Sequence, residues 1–371
     1  MKLKIAMGAT LVAYVFGFFA LQVFATDKTF SELENRDLAS APTFTKKAFL
    51  SGSYGEDFEK YIADQFPLRN NFISLKAYSE LALQKKDNNG VFIGRDHYFL
   101  QDFAGPDTTL LDKNAAYINE FAKNFNVYMM LSPTSTKVLS YKLPAYAVPY
   151  DEGTYIHDFY RQLSNDVYKI NVLDTLLDKN TEDIYYKTDH HWTTLGAYYA
   201  YTEFAKSAGF TPLSLNDFNI IDASSEFYGT LFSKGNFTFA KPDTIQIFEP
   251  KEKVDVEVTY VATNTISNSL YAYSHLDTKD KYSVFLDGNH PLITIKTGIK
   301  NGKKLLVIKD SYANSLVPFL TNHYEEIHIM DLRLLNMPIT TYATQNGIKD
   351  VLFLYNVHGF NTEAKYSLLS K

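Results

Sequence analysis

Thr188-Asp189-His190-His191-Trp192 puts a carboxylate, two imidazoles and an indole at consecutive positions. An Asp beside a His supplies two members of a nucleophilic triad. The His takes a proton from a hydroxyl, and the Asp fixes its tautomer and stabilises the imidazolium that forms. The block lies where the apolar-aromatic stretch Ile184-Tyr185-Tyr186 gives way to a helical pattern from about Thr193. Junctions of that kind collect catalytic groups in α/β proteins.

A nucleophile must come from another strand end. Leu305-Leu306-Val307-Ile308 runs into Lys309-Asp310-Ser311-Tyr312, and Val351-Leu352-Phe353-Leu354-Tyr355 runs into Asn356. Ile327-His328-Ile329-Met330 runs into Asp331-Leu332-Arg333. Ser311 opens a helix, so its hydroxyl and N–H face the positive end of the helix dipole, which suits an attacking oxygen and a developing oxyanion. Asn356 offers an amide donor for the same oxyanion. Each residue also has an ordinary reading, Ser311 as a helix cap and Asn356 as a strand-terminating turn. Asp189 with His191, Ser311 and Asn356 all falling on strand ends shifts the balance toward a site. Asp310 and Arg333 stand beside them, as supports or substrate contacts.

Metal catalysis is the rival reading of the pentapeptide. Adjacent histidines rarely hold one ion without further ligands. His290, His323 and His358 are scattered, with no His-Glu-x-x-His pattern. No metal and no cofactor is expected.

Strands must alternate with helices to position these ends. Asn114–Phe125, Thr154–Tyr168, Thr193–Ala208 closed by Gly209, a segment after Ser311 and Thr340–Gly347 read as helices. Val127–Leu131, Ile170–Leu173, Lys304–Ile308, Glu326–Met330 and Val351–Tyr355 read as strands. That alternation predicts a parallel sheet flanked by helices. Residues 216–300 break the rhythm with β-branched runs and turns, as a β-rich insertion would. Upstream, Phe58–Leu83 has helical spacing interrupted at Phe66-Pro67, and Val91–Gly94 with Tyr98–Leu100 reads as a hairpin after the Asp87-Asn88-Asn89-Gly90 turn.

With 371 residues the chain can bury a large core. Its net charge of −6 leaves no basic stripe for nucleic acid. It has no cysteine, which removes disulfides and thiolate chemistry. Lys2 and Lys4 precede an uncharged stretch from Ile5 to Ala25. At about 1.5 Å per residue that stretch reaches about 30 Å, enough to span a bilayer, and the lysines hold its start in the cytoplasm. Val23-Phe24-Ala25 resembles a signal-peptide cleavage site, but the apolar run exceeds the usual length, which favours an uncleaved anchor. The organisation expected is therefore an anchor at 1–25, a membrane-proximal region at 26–111 and a catalytic domain at 112–371.

The Ser, Asn and Asp-His blocks together resemble the SGNH hydrolase superfamily, here in a circularly permuted order with Asp-His before Ser. That order, with Asp-x-His-Trp, is similar to the periplasmic alginate O-acetyltransferases and to the DHHW family of surface proteins. Glu34-Asn35-Arg36, Phe66-Pro67-Leu68-Arg69 and Asn88-Asn89-Gly90-Val91 also look like the DHHW family, so the resemblance covers nearly the whole chain. It departs at Lys309, where a glycine is usual, at Asp331-Leu332-Arg333, where a donor glycine is not evident, and at Val357 after Asn356. The resemblance aligns Asp189 with the acid and His191 with the base. An extended segment agrees, since residues i and i+2 face one way and i+1 the other. His190 then contacts substrate or supports the base, and Trp192 packs the loop or stacks on a sugar.

The resemblance implies a Ser311 nucleophile, an acyl-serine, and an oxyanion hole of Asn356 and the Ser311 N–H. It favours acetyl transfer to a secreted or wall polysaccharide, with a membrane-bound acyltransferase partner exporting the acyl group. A carbohydrate esterase and a non-catalytic surface protein are the alternatives.

Overall fold

The structure is a computed structural model that describes residues 2–370. Its main sheet has eight strands. Five are parallel and lie side by side in the order Glu326–Met330, Lys304–Lys309, Asp350–Asn356, Asn126–Ser132, Val167–Ile170. Numbered from the Lys304–Lys309 strand and wrapped past the chain end, that order is the 2-1-3-4-5 of a doubly wound fold. The order reverses between Lys304–Lys309 and Asp350–Asn356, and ligands of such sheets bind at the carboxyl ends on either side of that point. Ser311 and Asn356 follow those two strands.

The apolar runs are unbroken because both faces of the sheet are covered. Leu305, Val307, Leu352 and Leu354 pack with residues of the helices Thr194–Ala208 and Ala313–Leu320. Leu306, Ile308, Val351 and Phe353 pack on the other side with the helices Thr108–Phe121 and Glu152–Gln162. Strands of the β-rich region take two routes. Phe218–Phe227 and Asp243–Pro250 form their own antiparallel pair. Val256–Tyr260, Thr265–Ser267 and Leu292–Thr297 extend the main sheet antiparallel beyond Glu326–Met330.

Some local expectations shift. The first helix of this region starts at Thr108 instead of Asn114, because Asp107 caps it by accepting from the Leu110 N–H. Val172-Leu173 does not end a strand. Asn171 caps a helix, Val172–Asp178, so the strand closes at Ile170. Within the β-rich region, the Tyr282–Leu286 run opens in a 3₁₀ turn, Lys281–Val284. The hairpin forms between Val91–Ile93 and Phe99–Gln101.

The chain divides into two compact units: residues through Asn88 with Phe232–Phe239, and Asn89–Leu231 with Ala240 onward. The second holds the sheet. The first holds the helix Lys2–Phe24 and the helices Ser53–Asp64 and Arg69–Ala82, with the expected break at Phe66-Pro67 between the last two. Over Leu3–Phe24 the N-terminal helix is long and apolar enough to cross a membrane, with a mean hydropathy of 1.8 and none of its residues buried in the protein.

Candidate active site

Asp310 builds the turn that presents Ser311. Its Oδ1 accepts from the Tyr312 N–H at 2.9 Å, and its carbonyl accepts from the Ala313 N–H at 3.3 Å, leading into the helix Ala313–Leu320 with Tyr312 at its N-cap. Its Oδ2 accepts from the Asn356 N–H and side-chain Nδ2, each at 2.8 Å. Asn356 Oδ1 in turn accepts from the Gly359 N–H at 3.0 Å and caps the helix Val357–Thr362. One carboxylate thus ties the two strand ends at the switch point together. Burial pushes the Asp310 carboxyl up to about 6, against N–H donors that favour its charged form.

Asp189 and His191 come together through a tight turn and not through an extended strand. Tyr185 and Trp192 form an isolated antiparallel bridge that pinches the loop between them. Within it Asp189 Oδ1 accepts from the His191 backbone N–H at 2.9 Å and contacts His191 Nδ1 at 2.5 Å. A side chain that bonds its own backbone two residues on is an Asx turn. His191 Nε2 lies 2.7 Å from Ser311 Oγ. Asp189 and His191 are 1% and 4% exposed, so the relay is shielded from water until it reaches Ser311. Burial opposes ionisation of Asp189, yet His191 and His190, with the bonds it accepts, hold its carboxyl well below the usual range.

The His190 ring packs against the His191 ring, with centroids 3.8 Å apart. His190 Nδ1 meets Thr230 Oγ1 at 2.5 Å, and its side chain is 26% exposed. Partial burial and the neighbouring His191 push it below the ordinary imidazole range, so it stands neutral. Trp192 is fully buried and donates to the Tyr312 carbonyl at 3.0 Å and to Ser315 Oγ at 3.1 Å. That leaves the packing reading of Trp192 and no open face for a sugar. Ligand atoms of Asp189, His190 and His191 lie within 4.8 Å of one another. Both His191 ring nitrogens are already engaged by Asp189 and Ser311, so an ion there would have to break the relay.

A model of the family described as "DHHW protein" matches residues 90–330, more than half of the chain and the span that carries both the pentapeptide and Ser311. The chain belongs to the DHHW family. A DHHW family protein from Eubacterium siraeum is 26% identical, with a TM-score of 0.64 over 77% of this chain and 96% of that one. Bacillus cereus PatB1, solved with a sulfonyl adduct, is 24% identical, with a TM-score of 0.64 over 75% of this chain and 97% of that one. Among curated proteins, the "Probable alginate O-acetylase AlgJ" of Pseudomonas fluorescens is 24% identical over 243 residues, 61% of this chain. The chain spans 60% of that relative's length.

The departures at Lys309 and Asp331-Leu332-Arg333 explain one another in this DHHW protein. Lys309 is fully buried, and its Nζ donates to Asn289 Oδ1 at 2.6 Å and Asn314 Oδ1 at 2.8 Å, 3.8 Å from Asp331 Oδ2. Burial pulls it down to about 8, which still leaves it mostly charged near neutrality. Asp331, also fully buried, takes the Arg333 fork through Nε at 2.8 Å and Nη2 at 2.5 Å. Arg333 keeps 47% of its side chain exposed. Ion pairs occupy the strand end where the resemblance leads one to expect a donor glycine.

Three partners of the site were not legible in the sequence. Thr230 donates its N–H at 2.7 Å and its hydroxyl at 3.0 Å to Asp189 Oδ2, from 41 positions downstream. Tyr282 stacks on the His191 ring at 3.7 Å and 10°, and its hydroxyl donates to the Ser311 carbonyl at 3.1 Å. Gly229 leaves room for Asp189: a Cβ there would stand 2.2 Å from the Asp189 Cβ. No spacing rule links these positions to the pentapeptide. Gly229→Ala is expected to destabilise the fold by about 1–3 kcal/mol through overpacking, and to lower kcat by displacing Asp189. Thermal denaturation with steady-state kinetics checks both. Unchanged values in both would mean that Asp189 tolerates the shift.

Proposed function

We propose that this DHHW protein is an extracytoplasmic O-acetyltransferase that moves an acetyl group onto a polysaccharide through an acyl-serine. One observation carries the reading: Asp189 Oδ1, His191 and Ser311 Oγ are joined by contacts of 2.5 and 2.7 Å in a nearly water-free relay. His191 Nε2 takes the Ser311 proton as Oγ attacks the acyl carbonyl. Asp189 holds the Nδ1 proton and stabilises the imidazolium. The tetrahedral oxyanion is held by the Ser311 N–H and Asn356 Nδ2, whose second hydrogen remains after Asp310 takes one. His191 returns the proton to the leaving group. An acceptor hydroxyl, deprotonated by His191, then attacks the acyl carbonyl; the Oγ–acyl bond breaks and His191 returns the proton to Ser311 Oγ. His190 and Arg333 flank this path and serve the acceptor side, while Trp192 and Asp310 hold the frame.

Acetyl and polysaccharide enter from the name of the Pseudomonas fluorescens relative. The apolar helix Leu3–Phe24 supports a single-pass anchor with the catalytic unit outside. Acetyl-CoA is cytosolic, so a membrane-bound acyltransferase partner must hand the acyl group across.

Incubation with p-nitrophenyl acetate, with and without oligosaccharide acceptors, tests the reading. Acetylated oligosaccharide is the result expected. Hydrolysis without transfer would make it an esterase, and no reaction would make it a non-catalytic surface protein. Asn356→Ala is expected to slow turnover by about 10²–10³, the usual loss for one oxyanion donor. An unchanged kcat would leave Asn356 only its bonds to Asp310 and Gly359.

A further inference from the structure

Two motifs take no part in that chemistry, Glu34-Asn35-Arg36 and Phe66-Pro67-Leu68-Arg69. They meet in the first unit. Arg36 forks onto Asp64 at 2.9 and 2.5 Å. Arg69 engages both carboxylate oxygens of Glu34. Asp64 is 6% exposed and also accepts from the Ala39 N–H at 2.9 Å. The Arg36 bonds hold its carboxyl down at about 2, against burial. Gln65 beside it bonds both the N–H and the carbonyl of Lys28 at 2.9 Å. The segment from Lys28 to Ala39 is therefore stitched to the turn between two helices.

The network holds a tip, Phe66-Pro67-Leu68. Leu68 has φ +60, a left-handed conformation unfavourable for an apolar side chain, and it is 59% exposed. Phe66 stacks on Phe18 of the apolar helix at 5.4 Å and 5°, and Phe72 joins both rings at 5.9 and 5.8 Å. An open groove of about 820 Å³ runs beside them, with Leu21, Phe24 and Leu68 among its walls and the polar Lys28, Glu32 and Arg69 also lining it.

Depth follows from helix geometry. The 22 residues of Leu3–Phe24 rise about 33 Å, close to the ~30 Å hydrocarbon core. Phe18 lies about 9 Å along the axis from Phe24. A ring stacked on Phe18 shares its depth. We infer that the Phe66-Pro67-Leu68 tip is embedded in the outer leaflet beside the anchor, its apolar side chains against phospholipid acyl chains. The inference rests on the anchor reading. The first unit is then seated on the membrane at fixed depth.

The chain has no cysteine, so single-cysteine variants label cleanly. Full-length Leu68→Cys, Val12→Cys and Leu83→Cys, each carrying an environment-sensitive fluorophore, are placed in phosphatidylcholine/phosphatidylglycerol nanodiscs with doxyl-labelled lipid. Leu83 serves as the exposed control, 82% open to solvent. The expected result is loss of most emission at positions 12 and 68, with position 83 unaffected. Quenching at 12 alone overturns the inference and leaves the anchor standing. Blue-shifted emission at 68 that resists doxyl lipid means that protein covers the tip, which also overturns it. No quenching at 12 removes the anchor and the inference together.

Discussion

Ser311→Ala is expected to abolish acyl-enzyme formation and cut kcat by about 10⁴–10⁶, the range for loss of a triad nucleophile. The hydroxyl bonds His191 Nε2 at 2.7 Å, while the surrounding turn is held by Asp310 and Tyr282 through backbone groups. Alanine removes the oxygen and leaves that scaffold, so the thermal midpoint is expected to stay close to that of the parent chain. Retained activity in a folded Ser311→Ala protein would force another nucleophile.

The two histidines are expected to separate by orders of magnitude. His191→Ala removes the only group that hydrogen-bonds Ser311 Oγ among the described residues, and should be as damaging as Ser311→Ala. His190→Ala removes a bond to Thr230 Oγ1, which still reaches Asp189 with its own N–H. The cost to kcat should stay within about 10-fold, in line with a lost hydrogen bond of about 1 kcal/mol, with any larger change in acceptor KM. Steady-state kinetics on both variants read the difference. The reverse ranking would move the base to His190.

Much of the scaffold was legible because its signals are local. The runs Leu305-Leu306-Val307-Ile308 and Val351-Leu352-Phe353-Leu354-Tyr355 are apolar, since each face of the sheet meets a helix layer. Thr193 and Gly209 bracket Thr194–Ala208 as cap and left-handed stop. The side shared by Asp189 and His191 was anticipated for a reason that does not hold. An Asx turn inside a pinched loop brings them together, where strand alternation was invoked. Helix starts were missed where a polar cap, Asp107 or Asn171, outweighed the apolar pattern. Thr230, Gly229 and Tyr282 were illegible because tertiary packing alone brings them to the site. The burial of Lys309 was equally hidden, since its partners Asn289, Asn314 and Asp331 lie on three separate segments.

Peptide mapping after brief exposure to an acetyl donor tests the central claim most directly. Rapid acid quench, digestion and mass spectrometry should place one acetyl group on Ser311, in an amount that falls when oligosaccharide acceptor is added. Acetyl on another residue, or turnover with no covalent adduct at any time, would contradict the acyl-serine route.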